Sequence, residues 1–235
     1  MRTPVILLFF LFLSAIPFPA GAQESLNRLD DMGRKQGPWV KLDTAGNKVY
    51  AGQFRDGIPV DTFRYYYPGG KLKTLSVFSE NGRKVRSESY FKNGKPMAKG
   101  IYVDEKKDST WRFFSEYDGV LLSEENYKSG LKNGPSRIYF PSGSISEIIN
   151  WKEDRKEGPW ETYYTDGKLK MKGACRNGEK EGPYVFYYNS GKVMIAGDYL
   201  EGHQHGTWNY YSDNGEILKT EKYDKGILLD KSPKE

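Results

Sequence analysis

The chain has 235 residues, a formal charge of +5 at neutral pH, 37% hydrophobic residues, 18 Tyr, 12 Phe, 5 Trp and 26 Gly. That aromatic load excludes a disordered bulk, and many aromatics and glycines beside few aliphatics fit short strands joined by tight turns. A single cysteine, Cys175, excludes an intramolecular disulfide, and acidic and basic residues alternate as on a solvated surface, unlike a nucleic-acid-binding stripe.

At the start of the chain, Arg2 precedes an apolar run from Val5 to Ile16, then Pro17, Pro19 and the small-residue site Ala20-Gly21-Ala22. This order predicts a secretory signal peptide over residues 1–22. The run is too short for a membrane span, which needs about 20 apolar residues. No cysteine follows the site, so lipidation by the bacterial lipoprotein route has no acceptor. Removing residues 1–22 takes away Arg2 and no acid, so the charge falls from +5 to +4. Residues 23–32 are expected to be a linker, 33–228 a repeat array and 229–235 a tail.

The array shows as columns. Trp39, Phe63, Ser87, Trp111, Ser136, Trp160, Tyr184 and Trp208 recur every 24 residues, with one step of 25. The odd step places a one-residue insertion in the turn between Ser115 and Gly119. Three residues after each anchor stand Leu42, Tyr66, Tyr90, Phe114, Tyr139, Tyr163, Tyr187 and Tyr211. A glycine follows in every unit, from Gly46 to Gly215. Eight residues beyond it come Phe54, Phe78, Tyr102, Tyr127, Trp151, Cys175, Tyr199 and Tyr223. Cys175 thus fills an aromatic slot, as a small buried hydrophobe would.

Each unit reads as a hairpin. In the sixth, Trp160–Tyr164 is a strand, Asp166-Gly167 a turn, Leu169–Cys175 the return strand, and Arg176-Asn177-Gly178 the turn onward. Successive strand residues face opposite sides, so Trp160 and Tyr163 lie on different faces. No helical stripe of useful length is present, and almost no helix is expected. The fold class is therefore all-β: an elongated, twisted antiparallel sheet of eight hairpins. About 16 strands at roughly 4.8 Å give a sheet about 75 Å long, with aromatic ladders running along it and no second layer. In the third unit Ser87 replaces the aromatic and the usual glycine before it is absent, so a weakness or bend is expected at Val85–Ser89.

The repeated pattern is carried by Gly158-Pro159-Trp160-Glu161-Thr162-Tyr163-Tyr164-Thr165-Asp166-Gly167 and by copies at Gly182-Pro183-Tyr184 and His205-Gly206-Thr207-Trp208. It resembles the MORN repeat, in the variant found in bacterial YwqK-like proteins, over about residues 33–228. The resemblance implies an elongated antiparallel sheet used for association with proteins or membranes. Some bacterial relatives carry the label of toxin–antitoxin components, although an antitoxin to an intracellular toxin would need no export signal.

Chemistry-bearing residues have bland explanations. His203 and His205, the only histidines, sit at a turn position of the repeat, with no neighbouring ligands in sequence to complete a metal site. The carboxylate pairs Glu124-Glu125 and Glu153-Asp154 are adjacent, and adjacent strand residues point apart, whereas glycosidases need carboxylates facing each other across a cleft. No phosphate-binding or dinucleotide motif is present. No catalytic, cofactor or metal site is expected, and the chain reads as non-enzymatic. A single-layer sheet cannot bury both faces, and exposed aromatic patches mark interaction surfaces. The expected binding face carries Tyr66, Tyr90, Phe114, Tyr139, Tyr163, Tyr187 and Tyr211. Its expected partner is a protein or peptide, with cell-wall glycan or a membrane surface as alternatives and no nucleic acid. The expected location is the periplasm, the cell envelope or the exterior.

Overall fold

The computed structural model describes residues 25–233; the expected signal peptide lies outside the described residues. Twenty strands follow one another with no helix among them. The first half comprises β1 Arg28–Leu29, β2 Lys35–Leu42, β3 Lys48–Arg55, β4 Ile58–Tyr66, β5 Leu72–Ser79, β6 Lys84–Tyr90, β7 Pro96–Val103, β8 Lys106–Phe114 and β9 Leu121–Lys128. The second comprises β10 Leu131–Lys132, β11 Gly134–Tyr139, β12 Ile145–Lys152, β13 Arg155–Tyr163, β14 Leu169–Arg176, β15 Glu179–Lys180, β16 Gly182–Tyr187, β17 Val193–Leu200, β18 His203–Tyr211, β19 Ile217–Asp224 and β20 Ile227–Pro233. Every ladder is antiparallel, between neighbours in sequence as in β2–β3, β3–β4 and β18–β19, or across a short split strand as in β9–β11 and β14–β16. No ladder joins β1 to β20 among the described residues, so the meander is open.

The sixteen expected strands are all present. The count rises to twenty because β10/β11 and β15/β16 are single strands broken at a bulge, and because β1 and β20 flank the array. β1 lies in the expected linker, and β20 runs from the last two residues of the expected array into the expected tail. β1 pairs with Lys35 and Gln36 of β2, and β20 pairs with β19 from Ile227 to Pro233.

Two turn chemistries and one bulge build each unit. Within a hairpin, Tyr164-Thr165-Asp166-Gly167 closes through the Gly167 amide to the Tyr164 carbonyl at 2.9 Å and the Tyr164 amide to the Lys168 carbonyl at 2.8 Å. Gly167 has φ +83°, and the equivalent glycines from Gly46 to Gly215 all lie between +81° and +91°, as a turn followed by a left-handed bulge residue demands. Between most hairpins a two-residue turn has both residues at positive φ, as at Asn177 (+53°) and Gly178 (+96°), which twists in the sense of the strands it joins.

The bulge sits two residues before the anchor. Between Ala51↔Arg64 and Gln53↔Val60, β4 spends two more residues than β3. The same shift recurs between β7 and β8, β12 and β13, and β17 and β18. The bulged residue has positive φ whether it is glycine, as at Gly158 (+90°) and Gly206 (+70°), or not, as at Asp61 (+55°) and Ser109 (+59°). Such insertions bend a strand and raise its local twist.

At the third unit, where a weakness or bend is expected, the ladder keeps its register. β5 and β6 pair from Ser79↔Lys84 to Thr74↔Ser89 with no register shift. β-branched Val85 does not enter the left-handed region, and the entry turn is lengthened to Glu80–Arg83 instead. The longer turn supplies the two residues that the bulge supplies elsewhere, so the register downstream is unchanged. The one-residue insertion is where the sequence placed it: the Gly119 amide bonds the Ser115 carbonyl at 3.0 Å, four residues back, and the turn presents Tyr117, 92% exposed.

The core is one row on one face. Across the sheet, paired residues at the anchor level read Trp39, Gly52, Phe63, Ser76, Ser87, Gly100 and Trp111, then Glu125, Ser136, Ile149, Trp160, Gly173, Tyr184, Gly197, Trp208 and Glu221. Four of its rings lie on a glycine of the strand before them. A Cβ on Gly52, Gly100, Gly173 or Gly197 would stand 2.4, 2.2, 2.4 or 2.3 Å from the ring of Phe63, Trp111, Tyr184 or Trp208. Covering a strand glycine with an aromatic ring restores the packing that glycine lacks. Edge-to-face contacts link Trp39, Phe54, Phe63 and Phe78 at 5.1–5.9 Å, and Tyr184, Tyr199 and Trp208 at 4.7–5.1 Å. The expected ladders therefore run in segments, interrupted where Ser87 and Ser136 replace the ring.

Candidate binding faces of the sheet

The anchor face has a lid that composition did not reveal. Lys35, Lys107, Lys132, Lys156 and Lys180 each stand four residues before an anchor. Lys35 Nζ lies 4.8 Å from the Trp39 ring centre and 4.7 Å from that of Phe54. Lys107 Nζ lies 4.8 Å from both Phe113 and Tyr127, Lys132 4.9 Å from Trp151, Lys156 4.5 Å from Trp160 and Lys180 4.6 Å from Tyr199. The half-buried side chains set their ammonium groups against the rings, and each close cation adds about 0.5–1 kcal/mol at a partly exposed site. These lysines stand over the rings where a second layer would otherwise lie. Desolvation pulls the Lys107 ammonium below the usual lysine value, and the Glu125 carboxylate opposes that fall.

The opposite face is different. Its central row contains charges paired across strands: Lys99 to Glu88 at 3.5 Å, and Arg112 to Glu124 at 2.7 Å. The tyrosine column borders this row and is half-buried throughout. Tyr90 donates to Glu88 at 3.0 Å, Tyr139 to Glu124 at 2.9 Å and Tyr163 to Glu161 at 2.5 Å. Burial, and then the Glu161 hydrogen bond, pushes the Tyr163 phenol up to about 12. Burial acts to raise Glu124, but hydrogen bonds from Tyr139 and Arg112 outweigh it and leave the carboxyl below its ordinary value.

The structure adds a second tyrosine column. Tyr67, Tyr164 and Tyr188 open their turns, and each hydroxyl reaches into the next unit. They donate to the carbonyls of Tyr90, Tyr187 and Tyr211 at 2.8, 2.6 and 2.7 Å. Every bond spans 23 residues, so a repeat reading one residue past the predicted column finds it. Shallow apolar grooves open beside the column. One of about 360 Å³ is lined by Leu72, Tyr90 and Gly94. Another of about 440 Å³, lined by Tyr188, Met194, Tyr211 and Leu218, crosses the sheet's rim to Ile195, Tyr210 and Lys219 of the anchor side.

The remaining expected features are separated by the pleat or the turns. Glu124 and Glu125 point to opposite faces, Glu124 to Arg112 and Glu125 to Tyr127 at 2.5 Å. Glu153 and Asp154 form a turn, with φ of +50° and +63°. His205 Nδ1 lies 3.3 Å from the Asp224 carboxylate, while His203 packs against Gly226. Among the described residues no three His, Cys, Asp or Glu side chains gather as a metal site. Cys175 is 4% exposed, with Sγ 3.8 Å from the Tyr184 hydroxyl.

The model of the MORN repeat variant matches residues 132–153, 156–173, 180–201 and 204–225, one stretch for each of the last four hairpins. The four C-terminal units are MORN repeat variants. The hairpins before residue 132 share the MORN units' turn glycines, and β3–β4 and β7–β8 share their bulged ladder register. No curated protein matches the chain. Among solved structures, the pore form of the Photorhabdus luminescens Tc holotoxin is similar at 13% identity and a TM-score of 0.21, over 79% of this chain and 11% of that one. A TcdB2–TccC3–Cdc42 complex is similar at 11% identity and a TM-score of 0.20, over 85% of this chain and 16% of that one. The chain thus spans less than a fifth of either, and neither likeness assigns it a function.

Proposed function

We propose that this chain is an exported, non-catalytic binding or scaffolding module that docks a partner protein or peptide along the tyrosine column. The observation that carries this is the contrast between the faces. On the anchor face, rings pack edge-to-face with lysine ammonium groups set over them. On the other, Tyr66, Tyr90, Phe114, Tyr139, Tyr163, Tyr187 and Tyr211 recur as a half-buried row beside apolar grooves. Tyrosine suits such a role because a large ring and a polar tip are presented with few rotatable bonds. A repeat array offers the same contact once per unit, so an extended partner is held at several points.

The test places a photo-crosslinking amino acid at Tyr163, Tyr187 or Tyr211 in cells, with Lys172 as a nearby site off the column. Discrete adducts from the three column positions, in the exported fraction and absent from the Lys172 position, support the reading. Replacing all three tyrosines with alanine should remove the partner while leaving the β-sheet circular dichroism unchanged. Loss of the fold in that variant, or equal crosslinking at Lys172, overturns it.

A further inference from the structure

We propose that the lysine file on the anchor face binds a linear acidic polysaccharide, independently of what docks on the tyrosine column. Lys107, Lys132, Lys156 and Lys180 hold one slot in four consecutive units. They stand two strands apart, so their ammonium groups repeat at about 10 Å along the sheet. Charges that look dispersed in sequence are thereby gathered into one line.

The line keeps charge for a ligand. Lys132 is bridged to Glu125 at 3.2 Å. No ion pair of the described residues takes up Lys107, Lys156 or Lys180; their neighbours are rings, the Tyr199 hydroxyl at 3.4 Å from Lys180, and, for Lys107, the field of the Glu125 carboxylate that bridges Lys132. On the other face some cations are paired, as at Arg112–Glu124 (2.7 Å) and Lys99–Glu88 (3.5 Å); what sets the file apart is its regular spacing along one line. Half-buried Tyr127, Trp151 and Tyr199 lie beneath the file and hold its ammonium groups in place.

The geometry separates this ligand from other polyanions. Phosphates of one DNA strand follow at about 3.4 Å of helix rise, nearly three for each lysine, and no arginine stands among these four. Six strand steps separate Lys107 on β8 from Lys180 on β15. At about 20° of twist per step the file turns through roughly 120°, which a flat bilayer cannot follow and a flexible chain can. Uronic-acid polymers carry one carboxylate for every one or two rings, a spacing of the file's order.

The purified protein is titrated with sodium alginate oligomers, with neutral dextran, single-stranded DNA and phosphatidylglycerol vesicles as the other arms. Alginate is expected to bind, more tightly than DNA or vesicles, and to be released by salt. Combining Lys107→Met, Lys156→Met and Lys180→Met keeps the stems over the rings and removes three charges; affinity should fall by more than about tenfold. Combining Lys152→Met, Lys172→Met and Lys222→Met removes the same charge from exposed positions on the other face, and affinity should change by less than about twofold. Acetylation footprinting of the unaltered protein supplies a readout free of any folding defect: alginate should protect Lys107, Lys156 and Lys180. Absence of alginate binding, preference for DNA or vesicles, equal losses in both triple variants, or no protection overturns the proposal.

Discussion

At the scale of the residue, the glycines divide into two kinds that the sequence alone does not separate. Gly191 has φ +88° and open space around it, whereas Gly197 has an ordinary backbone and the Trp208 ring 2.3 Å from where a Cβ would stand. Gly197→Ala should therefore cost about 1–3 kcal/mol by overpacking and alter the near-ultraviolet signal of the displaced tryptophan. Gly191→Ala should cost about 1–2 kcal/mol through backbone strain and leave that signal alone. Urea unfolding and near-ultraviolet circular dichroism of the two variants check the distinction, and matching spectra would contradict it. Glu221 supplies a pH dependence. It is buried on the anchor face and held down to about 2, from an ordinary 4.5, first by Lys219 at 2.8 Å and then by the Tyr210 and Tyr223 hydroxyls. A carboxyl depressed in the fold contributes stability above its unfolded value and loses it as pH falls. The loss should fall between pH 4.5 and 2, and Glu221→Gln should make the decline of the urea midpoint over that window shallower. An unchanged decline would remove Glu221 from the account.

At the scale of the element, the hairpins were legible because turn chemistry is local. Asp166-Gly167 and Asn177-Gly178 announce a glycine that must take positive φ, and the structure places both in the left-handed region. The bulge was not legible. Gly158 and Gly206 occupy it, but so do Asp61 and Ser109, residues that tolerate the left-handed region without requiring it. The bend expected at Val85–Ser89 came from reading the missing glycine as a missing part. The turn Glu80–Arg83 supplies the same two residues by another route, and a turn can trade length with a strand only where the register on both sides is already fixed by neighbours. The candidate column was legible as a period. Its environment was not, because the carboxylates that bind Tyr90, Tyr139 and Tyr163 take their places from pleat and register. The lysine lid shares the 24-residue period but hides within a mixed charge pattern.

At the scale of the whole molecule, a meander in which each strand touches only its sequence neighbours should behave as a sum of units and interfaces. Removing residues 180–203, 24 in all, places Trp208 over Gly173 in place of Gly197. Removing residues 132–155, also 24, places Trp160 against Glu125 in place of Ile149. Both shortened chains should stay β-sheet, with the urea m-value lower by about an eighth. The second should unfold at the lower urea concentration, because a bulky carboxylate now lies where a ring must settle. Equal midpoints in the two deletions would show that the row across the sheet does not matter. That row gives the array a direction and an order. Each hairpin is cut to receive one particular successor, as a domino is, so duplication or exchange of units in the history of such a chain is free only where the abutting ends still match.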